Sequence, residues 1–305
     1  MSLFWNPTEQ RVRALWRLLA QALLMAGLGV LPVVGIAEPL TVLHRRGMFL
    51  AGYGHDAYDR VVNMLIGPLL VAAVVASVAG AGRWLDHRPM TGFGVQLDRR
   101  WWRGLAVGLG VGTAVMLLVF CLEYACGWLT VTGVLAINSP GVPVSLALSF
   151  SVVKALCVGT YEELLSRGYH LRNLMEGLTP RWGVVVSSSV FALLHLANAH
   201  ASVASTVGLF VNALFFATAV LVTGRLSTAI GAHIAWNAVQ GAVLGFPVSG
   251  DKEAVSVLGL VQAGPPLLTG GAFGPEAGLL GAVASLVGIG LLLVWHRRPA
   301  PVGAA

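Results

Sequence analysis

The amino-acid sequence predicts an all-α fold, a polytopic membrane helix bundle with about eight transmembrane helices. Three observations carry that reading. Hydrophobic residues make up 56% of the 305-residue chain and charged residues only 10%, against about 45–50% and about 25% in soluble domains. Mean hydropathy is +0.79. The apolar excess falls into blocks of roughly 18–25 residues, the length a helix needs to cross a hydrocarbon core. Many of the 38 glycines lie inside those blocks, where small residues allow the close packing that substitutes for hydrophobic drive between helices in lipid.

The blocks centre on residues 18–36, 61–82, 104–126, 144–165, 182–197, 204–224, 227–246 and 277–295. Arg11, Arg13 and Arg17 stand ahead of the first, as in a signal peptide. That run exceeds the usual h-region of roughly 7–15 residues, and Pro32 interrupts its end, so a retained helix is expected. No connection is long enough for a soluble domain, and no repeat or low-complexity segment is present. Residues 1–305 therefore read as a single transmembrane domain.

Arginine placement sets the expected orientation. Basic residues cluster before block one, between blocks two and three (Arg83, Arg88, Arg99, Arg100, Arg103), and between four and five (Arg167, Arg172, Arg181). Arg225 lies between six and seven, and Arg297 and Arg298 follow the last block. With eight spans all of these fall on one side, while 127–143 and 198–203 carry no Lys or Arg; 38–60 is the exception. The expectation is an integral protein of the cytoplasmic membrane with both termini cytoplasmic. The net charge of +6 is mostly this arginine. It suits an anionic lipid surface and gives no case for nucleic acid. Trp101 and Trp102 read as interfacial anchors. Cys121, Cys126 and Cys157 show no Cys-x-x-Cys spacing, which argues against redox or thiolate-metal chemistry.

An ionisable group inside a spanning helix is costly and is by default a functional-site hypothesis. The sequence offers few: Glu162, Glu163 and Arg167 in "YEELLSRG", His195 in "FALLHLANAH", and His233 with Asn237 in "GAHIAWNAVQG". Glu163 and Arg167 are spaced i,i+4 with the acid first, the favourable order for an ion pair. Glu162 is rotated about 100° away at 3.6 residues per turn and keeps a free carboxylate. His233 and Asn237 share a helix face. Each alone has an ordinary reading as an interhelical hydrogen-bonding or interfacial residue; the ordered conjunction is what stands out. Glu123 reads as an interhelical hydrogen-bonding acid, and Asn198 and His200 as loop residues. Glu276, just after Pro275, reads as a first-turn acid facing a helix dipole.

"EELLSR", "FALLH" and "HIAWN" resemble the three motifs of the CAAX-protease and bacteriocin-processing (CPBP) family of intramembrane proteases, which are CAAX prenyl protease 2-like, Abi-like and lysostaphin resistance protein A-like. The pattern is E-E-x-x-x-R, F-x-x-x-H and H-x-x-x-N on separate helices, and every defining position matches within about 145–245, the expected catalytic core. The resemblance implies that Glu162 activates water with His195 as its partner. It further implies that His233 and Asn237 stabilise the oxyanion, with Glu163 and Arg167 in support. A membrane-tethered peptide or protein is the implied substrate, with a prenylated CAAX-type end as one form of it.

A carboxylate and an imidazole can activate water and pass its proton to the leaving amine, and a preorganised neutral donor stabilises the oxyanion. A zinc ion held by Glu162, His195 and His233 would use the same groups differently, and the sequence leaves that choice open. Two rival classes remain, a proton- or ion-coupled transporter and a catalytically idle scaffold of the same fold. From helix lengths, the cavity is expected to open toward the arginine-bearing, cytoplasmic half.

Overall fold

The computed structural model describes residues 3–50, 54–139 and 141–297; Arg298, counted above among the C-terminal basic residues, lies outside them. Helix α1 (Ala14–Pro32) continues through the wide-wound segment Val33–Ala37 into α2 (Glu38–Arg45), and α3 (His55–Ala81) follows. Asp98 accepts from the Trp101 N–H at 2.9 Å and so starts α4 (Arg99–Ala125), satisfying one of the orphan donors at a helix start. Helix α5 (Val144–Glu163) runs without a break through the π-helical segment Leu164–His170 into α6 (Leu171–Gly177). Thr179 caps α7 (Pro180–Leu194), whose Pro180 sits where a missing N–H costs nothing. A reciprocal Ser202–Ser205 capping box opens α8 (Val203–Thr223). After α9 (Ser227–Asn237) come the short α10 (Pro266–Thr269) and the long α11 (Leu279–Arg297).

Among the described residues, seven helical runs are long and apolar enough to cross a membrane, and the chain is an integral membrane protein of helical-bundle type. The block at 227–246 is not among them. Its helix α9 has eleven residues and gives way to a six-residue wide-wound segment, Ala238–Val243. Nine of the eleven α9 residues are buried. This helix is enclosed by protein, which explains why its small residues follow no simple lipid-facing pattern.

Helix α4 meets α9 along a seam of Gly104, Gly108 and Gly112. A Cβ on Gly108 would collide with the Thr228 carbonyl oxygen, and one on Gly112 with that of Ala232. Glycine here lets two backbones touch, the small-xxx-small geometry of membrane helices. Gly159 brings α5 against Ile234 of α9 in the same way.

The all-α expectation needs a local correction. Strands β1 (Trp5–Asn6) and β2 (Arg11–Val12) form a two-residue ladder, and β3 (Leu129–Ile137) pairs antiparallel with β4 (Val255–Gln262). Leu129 lies opposite Gln262 and Ile137 opposite Val255, with a bulge between Val131 and Gly133. Both strands of this second ribbon are rich in Val, Leu and Thr, residues that suit a pleated surface.

Charged side chains gather where the arginine-bearing segments meet. Arg17 Nη1 donates to Asp86 Oδ1 at 2.8 Å, and Tyr169 Oη donates to Asp86 Oδ2 at 2.8 Å. Glu176 accepts from Arg11, Arg17 and Arg88. At the same end Arg225 pairs with Asp98 through both guanidinium nitrogens, at 2.7 and 2.8 Å. The guanidinium holds that exposed carboxyl below its ordinary range. Chain direction puts the β3–β4 ribbon and the connections at 198–202 and 247–253 at the opposite end.

Candidate active site

The last turn of α5 carries two glutamates with different environments. Glu163 is fully buried and its Oε1 accepts twice, from Arg167 Nη1 at 3.0 Å and from His233 Nδ1–H at 2.8 Å. Arg167 Nη2 also donates to the Ala213 carbonyl at 3.3 Å. Its guanidinium lies 4.1 Å from the Phe191 ring centre and 5.4 Å from that of Phe216, so the buried cation is held by a carboxylate and two aromatic faces. A π-helical turn begins directly after Glu163; such turns widen the helix and recur at functional sites.

Glu162 faces another way. Its side chain is 20% exposed, and its Oε2 approaches His233 Nε2 at 3.9 Å. That oxygen is buried and accepts no hydrogen bond from the described residues. His233 therefore sits between the two glutamates. Its Nδ1–H is committed to Glu163, Phe216 stacks on the ring at 4.7 Å between centres and 9° between planes, and Nε2 is left toward Glu162. The sequence expected Glu163 to be engaged by Arg167; its second bond, to His233, was not anticipated.

His195 begins the 3₁₀ turn that ends α7. Its Nδ1–H donates to the Phe191 carbonyl at 2.8 Å, and its ring lies 4.7 Å from that of Phe191. The bonded Nδ1 leaves Nε2 as the atom free to act. Asn237, one turn beyond His233, makes no side-chain hydrogen bond among the described residues. Glu162, His195, His233 and Asn237 all line one cavity of ≈ 590 Å³. No contact within 4 Å joins Glu162 to His195, and among the described residues no three His, Cys, Asp or Glu side chains cluster in a metal-holding arrangement. The suggested zinc set of Glu162, His195 and His233 does not fit this geometry, and no step below is routed through a metal.

The cavity extends to Lys154 on α5, to Asn198 and Ala199, and to the loop 248–253. The expected opening toward the arginine-bearing end is thus corrected. The span containing Glu162 does not end near residue 165 but continues to Gly177, which puts roughly 20 Å of helix between Glu162 and that end at 1.5 Å per residue. His195 likewise lies at the far end of α7.

Several polar residues around the cavity escaped the sequence reading. Lys154 donates to Asp251 Oδ2 at 2.6 Å and Glu253 Oε1 at 3.2 Å; a lone cation in an apolar block was the available signal. Glu276 does stand in the first turn of the 3₁₀ segment Pro275–Ala277, as its helix-start reading has it, and it is also buried and tied to the cavity wall. Its Oε2 accepts from Gln240 Nε2 at 2.6 Å and its Oε1 from the Ser249 N–H at 3.2 Å. Asn198 Nδ2 donates to the Ser249 carbonyl at 3.1 Å, with Ser249 held at a φ of 49°. A hydrogen-bonded chain thus joins the turn after His195 to the segment after Asn237. Burial pushes the Glu276 carboxyl up to about 7. Glu123 accepts from Gln262 Nε2 at 2.7 Å, so its hydrogen bond runs to strand β4 and not to another helix as its interhelical reading expected.

Searches of curated proteins and of solved structures find no match to this chain. A family model does match, and it covers the helices that carry Glu162, Glu163, Arg167, His195, His233 and Asn237: residues 144–239 correspond to the type II CAAX prenyl endopeptidase Rce1-like family. The chain carries an Rce1-like domain of the type II CAAX prenyl endopeptidase (CPBP) family.

Proposed function

We propose that the protein is an intramembrane endopeptidase that hydrolyses a peptide bond of a membrane-associated peptide or protein with a glutamate-activated water. One observation carries this reading: Glu162 Oε2 and His233 Nε2 stand 3.9 Å apart on a cavity wall, with neither atom hydrogen-bonded among the described residues. One water can accept that spacing and contact both. Glu162 takes the water's proton as the oxygen attacks the carbonyl carbon, then delivers it to the departing amine. Glu163 fixes the His233 ring through Nδ1, the service a carboxylate performs for a working imidazole. The Asn237 amide supplies a neutral donor to the developing oxyanion; one such donor is worth about 3–4 kcal/mol. His195, oriented by the Phe191 carbonyl, presents Nε2 as a proton relay. The resemblance pairs Glu162 with His195, whereas the contacts favour His233 as the partner.

The test is cleavage of a panel of quenched membrane peptides by purified protein. Glu162→Gln is expected to lower turnover by about 10²–10⁴-fold with the folded yield unchanged. Turnover that survives this change overturns the assignment.

We further propose that both termini and the arginine-bearing end face the cytoplasm. The cavity mouth at 198–199 and 248–253 then faces the opposite side. A cysteine at Ser249 in a cysteine-free background is expected to react with a membrane-impermeant maleimide on intact cells. Labelling only after lysis reverses the orientation.

A further inference from the structure

We propose that this cavity favours peptides carrying a Lys or Arg side chain about three to four residues from the scissile bond over peptides carrying an acidic side chain there. The proposal rests on the endopeptidase reading and names the substrate class of the same site. The charged groups lining the cavity are three carboxylates, Glu162, Asp251 and Glu253, against one ammonium, Lys154. Glu163 and Arg167 lie behind the wall as a closed ion pair and add no net charge. The lining thus carries an excess of negative charge, and a cleft with such an excess focuses its field on whatever enters.

The charges are also ordered along the entry path. Ser151 Oγ donates to Glu253 Oε2 at 2.7 Å, and Lys154 bridges Glu253 and Asp251. Both carboxylates are thereby held near the mouth. Glu253 is buried, but the Asp251 side chain is 65% exposed and only its Oδ2 is committed to Lys154. Lys154 stands eight residues before Glu162 on α5, roughly 12 Å along the helix. An extended peptide spans that distance in about three to four residues at roughly 3.3–3.6 Å each. With its carbonyl carbon at Glu162, a substrate therefore brings a side chain of that register to Asp251. A cation there gains the uncommitted Oδ1 of Asp251 as a partner, and an acidic side chain meets that oxygen as a like charge.

The experiment compares one peptide backbone bearing Lys, Gln or Glu three and four residues to either side of the cleaved bond, on wild-type protein in neutral-lipid nanodiscs. Cleavage and binding of the same labelled peptides, the latter by fluorescence anisotropy, are read together. The expected result is a kcat/KM and an affinity roughly tenfold higher for Lys than for Glu at low salt, narrowing at about 0.5 M salt. Asp251→Lys, at an exposed position, is expected to reverse the order. Cleavage without charge preference overturns this proposal and leaves the endopeptidase reading standing. Charge-selective binding without any cleavage overturns the endopeptidase reading and, with it, the placement of the side chain relative to a scissile bond. Binding that shows no charge preference and no reversal in Asp251→Lys overturns it outright.

Discussion

Two buried charge clusters sit on the same helical run and are built on opposite rules. At the arginine-bearing end, both oxygens of Asp86 are taken, by Arg17 and Tyr169, and Glu176 accepts from three arginines. At the cavity, Glu162 Oε2, His233 Nε2 and the Asn237 amide have no protein partner among the described residues. A buried polar group without a partner costs free energy, so the first cluster holds the bundle together and the second retains a cost that chemistry can use. Burial alone does not separate the two, and an orphan atom alone does not either, since Arg17 Nε is also without a partner; what separates them is that the Asp86 carboxylate is bonded at both oxygens while Glu162 Oε2 is left open on a cavity.

The sharpest way to break this contrast is to exchange the consequences. Arg17→Met leaves Asp86 and its charge buried with one partner fewer and should destabilise the protein by about 3–5 kcal/mol, read as a loss of thermal stability in detergent. Glu162→Gln should leave the melting temperature unchanged or raised. If Glu162→Gln melts the protein and Arg17→Met does not, the assignment of structure to one end and function to the other is wrong.

A smaller effect sharpens it through pH. Glu276 titrates near 7 when folded and near 4.5 in the ordinary case, so the folded state holds a proton that the unfolded chain has released between those values. Stability contributed by this group is present below about 4.5 and is lost as pH rises toward about 7, a change on the order of 3 kcal/mol. Melting curves should flatten across that window in Glu276→Gln relative to wild type. An unchanged slope would show that Glu276 does not titrate there.

Much of the bundle was legible because hydropathy and length report directly on spanning helices, and seven of the eight blocks are such helices. The 227–246 block misled because an enclosed helix is apolar on every side, as a lipid-facing one is. The β3–β4 ribbon was missed although "LTVTGVLAI" and "VSVLGLVQ" carry strand-forming residues; strand pairing across more than a hundred residues leaves no local trace. At the site, the i,i+4 spacing of Glu163 and Arg167 foretold their ion pair. The bond from His233 to Glu163 depends on how far α9 slides along α5, which close packing at Gly159 determines and spacing does not. The position of the mouth is not legible in hydropathy because the apolar block ends near residue 165, whereas the helical run continues twelve residues further, to Gly177.

The wide turn at Leu164–His170 has a consequence for how one helical run serves both clusters. An unbroken α-helix fixes the angle between any two of its residues. Aiming Glu162 and Glu163 at α9 would then dictate where Tyr169 points. The wide turn inserts a phase step between them, so that the upstream half is clocked to the cavity and the downstream half to Asp86. Each half is free to drift in sequence without retuning the other, and the rotational error is absorbed in the wide-wound residues that separate Glu163 from Tyr169.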